Sequence, residues 1–98
     1  MRGHHIKNRR DKNEKQIFDI IRAHGIQVHP IDKPCDAICG YRGVSLLVEV
    51  KNGVKAPLTP AQKKFLRTWE GQHVILCTED EATGWAQEIR AKHSWRPE

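Results

Sequence analysis

Apolar residues recur along this chain in two rhythms, one helical and one alternating or continuous, and the changes between them mark out its elements. Ile17, Phe18, Ile20 and Ile21 follow helical spacing, with Glu14, Phe18 and Ile21 on one stripe. Asp11 or Asn13 is placed to cap this helix, which runs to about His24, and Gly25 to stop it. Residues 26–30 read as a short strand closed by Pro30, and 31–34 as a loop. Residues 36–41 and 44–51 form the two arms of a hairpin, with Arg42-Gly43 as its turn and glycine available for a positive φ. The return arm is apolar at Val44, Leu46, Leu47, Val48 and Val50, so it is expected to be covered on both faces. After a loop over 55–58, Thr59, Pro60 and Gln62 carry the marks of a helix start: N-cap, first-turn proline and a capping-box partner. That helix continues to Gly71, with Gln62, Phe65, Leu66 and Trp69 inward and Lys63, Lys64 and Arg67 toward solvent. Residues 73–77 read as a buried strand. Thr78 or Asp80 then caps a last helix whose stripe is Ala82, Trp85, Ala86 and Ile89. Trp69 and Trp85 are expected in the core or an interface.

The order is helix, three strands, helix, strand, helix. Three consecutive strands make an antiparallel meander, and the crossover through the second helix places the fourth strand parallel to the third. The expected class is α/β, a mixed four-stranded sheet flanked by helices.

Composition narrows this picture. A chain of 98 residues supports one small domain with one modest core. The pattern assigns 1–10 to a flexible basic segment, 11–93 to the domain and 94–98 to a polar tail that contains Trp95. No apolar run approaches the roughly 20 residues a bilayer span needs, so no membrane association is expected. No apolar stretch follows the N-terminal basic residues, so no signal peptide is visible. The cysteines, Cys35, Cys39 and Cys77, are odd in number, which fits a reducing, intracellular setting. Cys39 and Cys77 lie in apolar runs, where the thiol acts as a small hydrophobe, and no zinc site is expected.

Net charge is +5. Arg2, Lys7, Arg9, Arg10, Lys12 and Lys15 crowd the first fifteen residues, and Lys63, Lys64 and Arg67 form a second group. Positive patches favour a polyanion, because phosphate contacts release counterions; a merely solvated basic surface accounts for the same charges.

The candidate chemistry lies at the open end of the hairpin. If Tyr41 pairs with Val44, Asp36 falls opposite Glu49. Facing carboxylates about 4.5–5.5 Å apart at Cβ repel unless something neutralises them. A divalent cation does so most simply. Lys51 projects to the same face as Glu49. An Asp, a Glu and a Lys converging on one point are the requirements of metal-assisted phosphodiester hydrolysis. The bland alternative is a structural salt bridge from Lys51. Glu14 is either a first-turn acid that favours the helix dipole or an acid directed into this site. Gln62 either turns back to cap its own helix or faces the Asp–Glu–Lys cluster.

Arg10-Asp-Lys-Asn-Glu14, Pro34-Cys-Asp36, Gly40-Tyr-Arg-Gly43, Leu47-Val-Glu-Val-Lys51 and Leu58-Thr-Pro-Ala-Gln62, in this order and spacing, resemble the PD-(D/E)xK nuclease superfamily. The likeness spans about residues 10–90 and is greatest to small stand-alone phage domains of the virus-type replication-repair nuclease class (VRR-NUC), which are similar to Holliday-junction resolvases. The resemblance implies a restriction-endonuclease-like αβββαβα core and a Mg²⁺-dependent DNA endonuclease, with Mn²⁺ as a possible substitute. It implies Asp36, Glu49 and the Val50 carbonyl as metal ligands, Lys51 as the motif lysine, and Glu14 and Gln62 as further site residues. It also implies a homodimer acting on branched DNA such as four-way junctions, in the cytoplasm of a bacterial host that carries the phage or prophage, with a replication or repair partner possible. The DNA contacts expected are Arg9, Arg10, Lys12, Lys55, Lys63 and Lys64. Cys35 departs from the adjacent Pro-Asp of many relatives, which leaves the ligand but alters the loop. The alternative function is a non-catalytic module on a nuclease-like fold that binds DNA or a partner.

Overall fold

The computed structural model describes residues 13–52 and 57–93. Expectations about Arg9, Arg10, Asp11, Lys12, Lys55 and Trp95, and about the segments 1–10 and 94–98, lie outside the described residues.

The elements are α1 (Glu14–Ala23), β1 (Gln27–Pro30), β2 (Ala37–Tyr41), β3 (Val44–Val50), α2 (Pro60–Thr68), β4 (His73–Leu76) and α3 (Glu79–His93). The chain is thus α/β in the expected order. The sheet runs β1-β2-β3-β4, with the first two pairs antiparallel and β3 parallel to β4. The hairpin register is Tyr41↔Val44, as expected. Arg42 and Gly43 both have positive φ, 50° and 87°, the backbone signature of a primed two-residue turn.

One face of the sheet carries the core. Ala37 and Cys39 from β2, Leu46, Val48 and Val50 from β3, and Leu76 from β4 meet Ile17, Phe18 and Ile21 of α1 and Ala82, Ala86 and Ile89 of α3. These side chains share a face because strand residues alternate and the helical ones recur every three or four positions. Gly25 ends α1 with φ 81°, and its N–H donates to the Arg22 carbonyl. The Arg90 guanidinium donates to the His24 carbonyl and ties α3 to that end.

The second face is less covered. Leu47 and Glu49 are buried, so β3 is enclosed on both sides as its composition predicts. α2 lies toward this face through half-buried Gln62, Phe65 and Leu66, yet has no fully buried residue. Trp69 is 40% exposed, which corrects its expected inward place: α2 stops at Thr68, and the indole stacks on Phe65 and lies over Gly71. Trp85 is half-buried against the core.

Two further boundaries differ in detail. α3 is capped by Thr78, not Asp80: Thr78 Oγ1 accepts from the Glu81 N–H at 3.1 Å, and Glu81 reaches back to the Cys77 N–H at 2.7 Å. Asn13 stands at the N-cap of α1 but makes no side-chain cap bond. Its amide is used elsewhere.

Candidate metal and phosphate site

β3 carries the site because it is the inner strand whose end changes from apolar to ionisable residues. Glu49 is 4% exposed, and the Lys51 side chain that follows is 12% exposed. Lys51 Nζ lies 3.6 Å from Glu49 Oε2.

Asp36 comes from the loop before β2, and here the expected register fails. The ladder reaches Ala37↔Val48, but the Asp36 N–H also donates to the Val48 carbonyl, at 3.0 Å. Two successive residues therefore face one, as in a β-bulge, and Asp36 is not directly opposite Glu49. The bulge re-aims the side chain: Asp36 Oδ2 accepts from the Val50 N–H at 2.7 Å. An extended residue points its N–H and C=O to the same side, so the Val50 carbonyl also faces the Asp36 side of β3.

The two carboxyl groups still meet. Burial, the charge of Asp36 and a hydrogen bond to it push the Glu49 carboxyl up to about 8, against the opposing influence of Lys51. Without a cation, the pair therefore keeps a proton to higher pH than an isolated carboxyl would. Cys35, buried beside them, is pushed up to about 11 by burial and by the charges of Glu49 and Asp36. It is an inert thiol, as is Cys39, pushed up to about 12 by burial, while Cys77 is unbridged and half-buried.

Gln62 resolves its two sequence readings by satisfying both. Its Oε1 accepts from the Thr59 N–H at 2.9 Å, and its own N–H donates to Thr59 Oγ1 at 3.1 Å, which completes the capping box. The same Oε1 accepts from Lys51 Nζ at 2.8 Å, and Nε2 donates to Glu49 Oε2 at 2.5 Å. The orientation of the amide is forced, because the groups at Oε1 are donors only.

Asp36, Glu49, Lys51 and Gln62 thus form one network. Glu14 is half-buried at the start of α1, next to Asn13. Asn13 Nδ2 donates to the Lys51 carbonyl at 3.1 Å and to the Cys77 carbonyl at 2.8 Å. Sequence reading saw Asn13 only as a possible cap, and no local signal marks it, since its partners lie 38 and 64 residues away. Thr59 was legible as a cap but not as a support of the site. Lys63 and Lys64 are exposed on the helix whose first turn contains Gln62.

Among the described residues no group of three or more His, Cys, Asp and Glu side chains is arranged to hold a metal. Two carboxylates and a main-chain carbonyl are nonetheless the hard oxygen donors that Mg²⁺ accepts, since it keeps several waters. The repulsion that raises the Glu49 pKa beside Asp36 is one that a cation would relieve. A hollow of about 350 Å³ adjoins the network, with Pro34, Thr59, Gln62 and Phe65 in its wall. Larger hollows, of about 540 and 410 Å³, lie around Gly25 and Gln27 at the hairpin-tip end of the sheet, away from the carboxylates. Among the described residues no helix is long and apolar enough to cross a membrane. Searches of protein-family models, curated proteins and solved structures find no match to this chain.

Proposed function

We propose that this chain is a divalent-metal-dependent DNA endonuclease with a restriction-endonuclease-like core, acting as a homodimer on branched DNA such as four-way junctions. The observation that carries the reading is the pairing of half-buried Asp36 with buried Glu49, with Lys51 and Gln62 against it. A salt bridge alone needs one carboxylate. A second acid forced against the first costs free energy that only a cation or a proton relieves.

In this reading Asp36, Glu49 and the Val50 carbonyl hold Mg²⁺ or Mn²⁺, and Glu14 stands by as a further acid. The bound cation supplies charge stabilisation at the phosphate and a lower pKa for water. Lys51 places a fixed positive charge where negative charge grows on the phosphoryl oxygens. Gln62 holds the Lys51 ammonium and the Glu49 carboxylate at a set separation, so neither must reorganise during the reaction. Lys63 and Lys64 meet the DNA backbone from α2. Hydrolysis breaks one P–O bond, water supplying the hydroxyl to phosphorus and a proton to the leaving oxygen. The family resemblance implies a 5′-phosphate product. A twofold pair of sites suits paired cuts in a junction.

The test incubates labelled duplex, flap and four-way-junction DNA with the protein in Mg²⁺, Mn²⁺ or EDTA. Cleavage in metal is expected, strongest on the junction, with Asp36→Ala, Glu49→Ala and Lys51→Ala each slower by at least about 100-fold. Alanine variants that cut as fast as wild type would overturn the mechanism. Salt-sensitive binding with no cleavage in any metal would favour the non-catalytic module. Sedimentation as a monomer at assay concentration would remove the dimer.

A further inference from the structure

We infer that Thr59 is a positioning residue for Lys51, acting through Gln62, so that the first turn of α2 serves as a latch on the site. Its catalytic meaning rests on the nuclease reading; its structural content does not.

The argument starts from the weakness of α2's other attachments. The helix has no fully buried residue, and its apolar side chains Phe65 and Leu66 are only half-buried. Its polar first turn, by contrast, is joined to β3 by two short hydrogen bonds. Gln62 Oε1 accepts from Lys51 Nζ, and Gln62 Nε2 donates to Glu49 Oε2. A glutamine side chain has three rotatable bonds, and a free one would spread over several rotamers. Here the capping box removes that freedom. The Thr59 N–H is bonded to the same Oε1 that holds Lys51, and Thr59 Oγ1 fixes the Gln62 main chain. Oε1 therefore has two donors, one local and one from the sheet, and moving either shifts the other. Without Thr59 Oγ1 the first turn loosens, Gln62 is held less firmly, and the Lys51 ammonium loses the fixed position of the acceptor it bonds at 2.8 Å. Glu49 Oε2, at 3.6 Å, is too far to replace it by hydrogen bonding.

Thr59 is exposed, so its truncation opens no cavity. The experiment compares wild type, Thr59→Ala and Thr59→Ser. Each folded protein is treated briefly with acetic anhydride, and acetylation is read lysine by lysine by peptide mass spectrometry. Thr59→Ala is expected to raise the rate at Lys51 by about tenfold or more, the factor that one hydrogen bond to a charged group represents, with Lys15 and Lys92 unchanged. Thr59→Ser, which keeps the hydroxyl, is expected to match wild type. An unchanged Lys51 rate in Thr59→Ala overturns the latch, and so does an equal rise at all lysines, which would report general loosening. On junction DNA in Mg²⁺, Thr59→Ala is expected to lower kcat by about tenfold with KM unchanged. If wild type cuts nothing, the nuclease reading fails, and the acetylation rates still decide the latch.

Discussion

A carboxyl group buried at the end of a strand can lower its free energy by taking a proton, pairing with a base or binding a cation. For Glu49 the base is Lys51, and under the proposed function a cation would be the third choice. Without a cation the balance shifts toward the proton: burial and Asp36 raise its pKa to about 8, against the opposing influence of Lys51. The consequence for stability has a definite sign. The folded state binds this proton more tightly than the unfolded chain, so the contribution is full below the ordinary carboxylate range and is lost as pH rises through about 8. In EDTA the melting temperature is therefore expected to fall between about pH 5 and pH 9 from this group, and Glu49→Gln to flatten that fall. With Mg²⁺ present the fall should flatten, because the cation displaces the proton and leaves folded and unfolded states equally deprotonated at this group. Melting curves across pH, with and without Mg²⁺, read both effects. A Glu49→Gln protein with an unaltered pH slope in EDTA would show that Glu49 is not the group responsible.

At the scale of elements, the ends of β3 and β4 are held open and in place by a residue from neither strand. Both strands run toward the site in parallel, and their last carbonyls need donors once the ladder stops. The Asn13 amide supplies them by donating to Lys51 and Cys77. It fixes the Lys51 main chain while Gln62 fixes the ammonium, so the lysine is held at both ends. Asn13→Ala removes two hydrogen bonds and should cost about 1–2 kcal/mol, whereas Asn13→Asp sets a carboxylate against two carbonyls and should cost about 2–4 kcal/mol. Denaturant unfolding of both variants checks the order; an aspartate better tolerated than the alanine would contradict the geometry. This contact also shows where sequence reading stops. Alternation and helical periodicity are local, and they gave every element, the hairpin register from Tyr41↔Val44 to Ala37↔Val48, and the crossover to β4. The convergence of Asp36, Glu49, Lys51 and Gln62 was legible because three of them flank one hairpin and the fourth opens the next helix. The bulge at Asp36 was not legible, since it depends on which carbonyl the Asp36 N–H finds in three dimensions. Nor was the exposure of Trp69, which an early end to α2 and the close approach of Gly71 decide.

At the scale of the molecule, the distribution of charge sets what the site can meet. The chain carries a net +5, although exposed Asp32 shares the wall of the hollow beside the network with Gln62. Lys63 and Lys64 stand exposed one and two residues after Gln62, so under the proposed function a backbone phosphate at the network would bring its neighbours toward them. Contacts of this kind carry no sequence preference and act through counterion release. Their signature is the dependence of affinity on salt, where each phosphate contact on duplex DNA contributes about 0.9 to the slope of log K against log salt. Lys63→Glu/Lys64→Glu is therefore expected to lower that slope by about 2, to weaken binding most at low salt, and to leave the rate at saturating DNA near wild type. Titration of labelled junction DNA at several salt concentrations, in Ca²⁺ to suppress cleavage, measures the slope. A slope unchanged by the double reversal would mean that α2 does not touch the backbone, and that the strand enters the site from another side of the sheet.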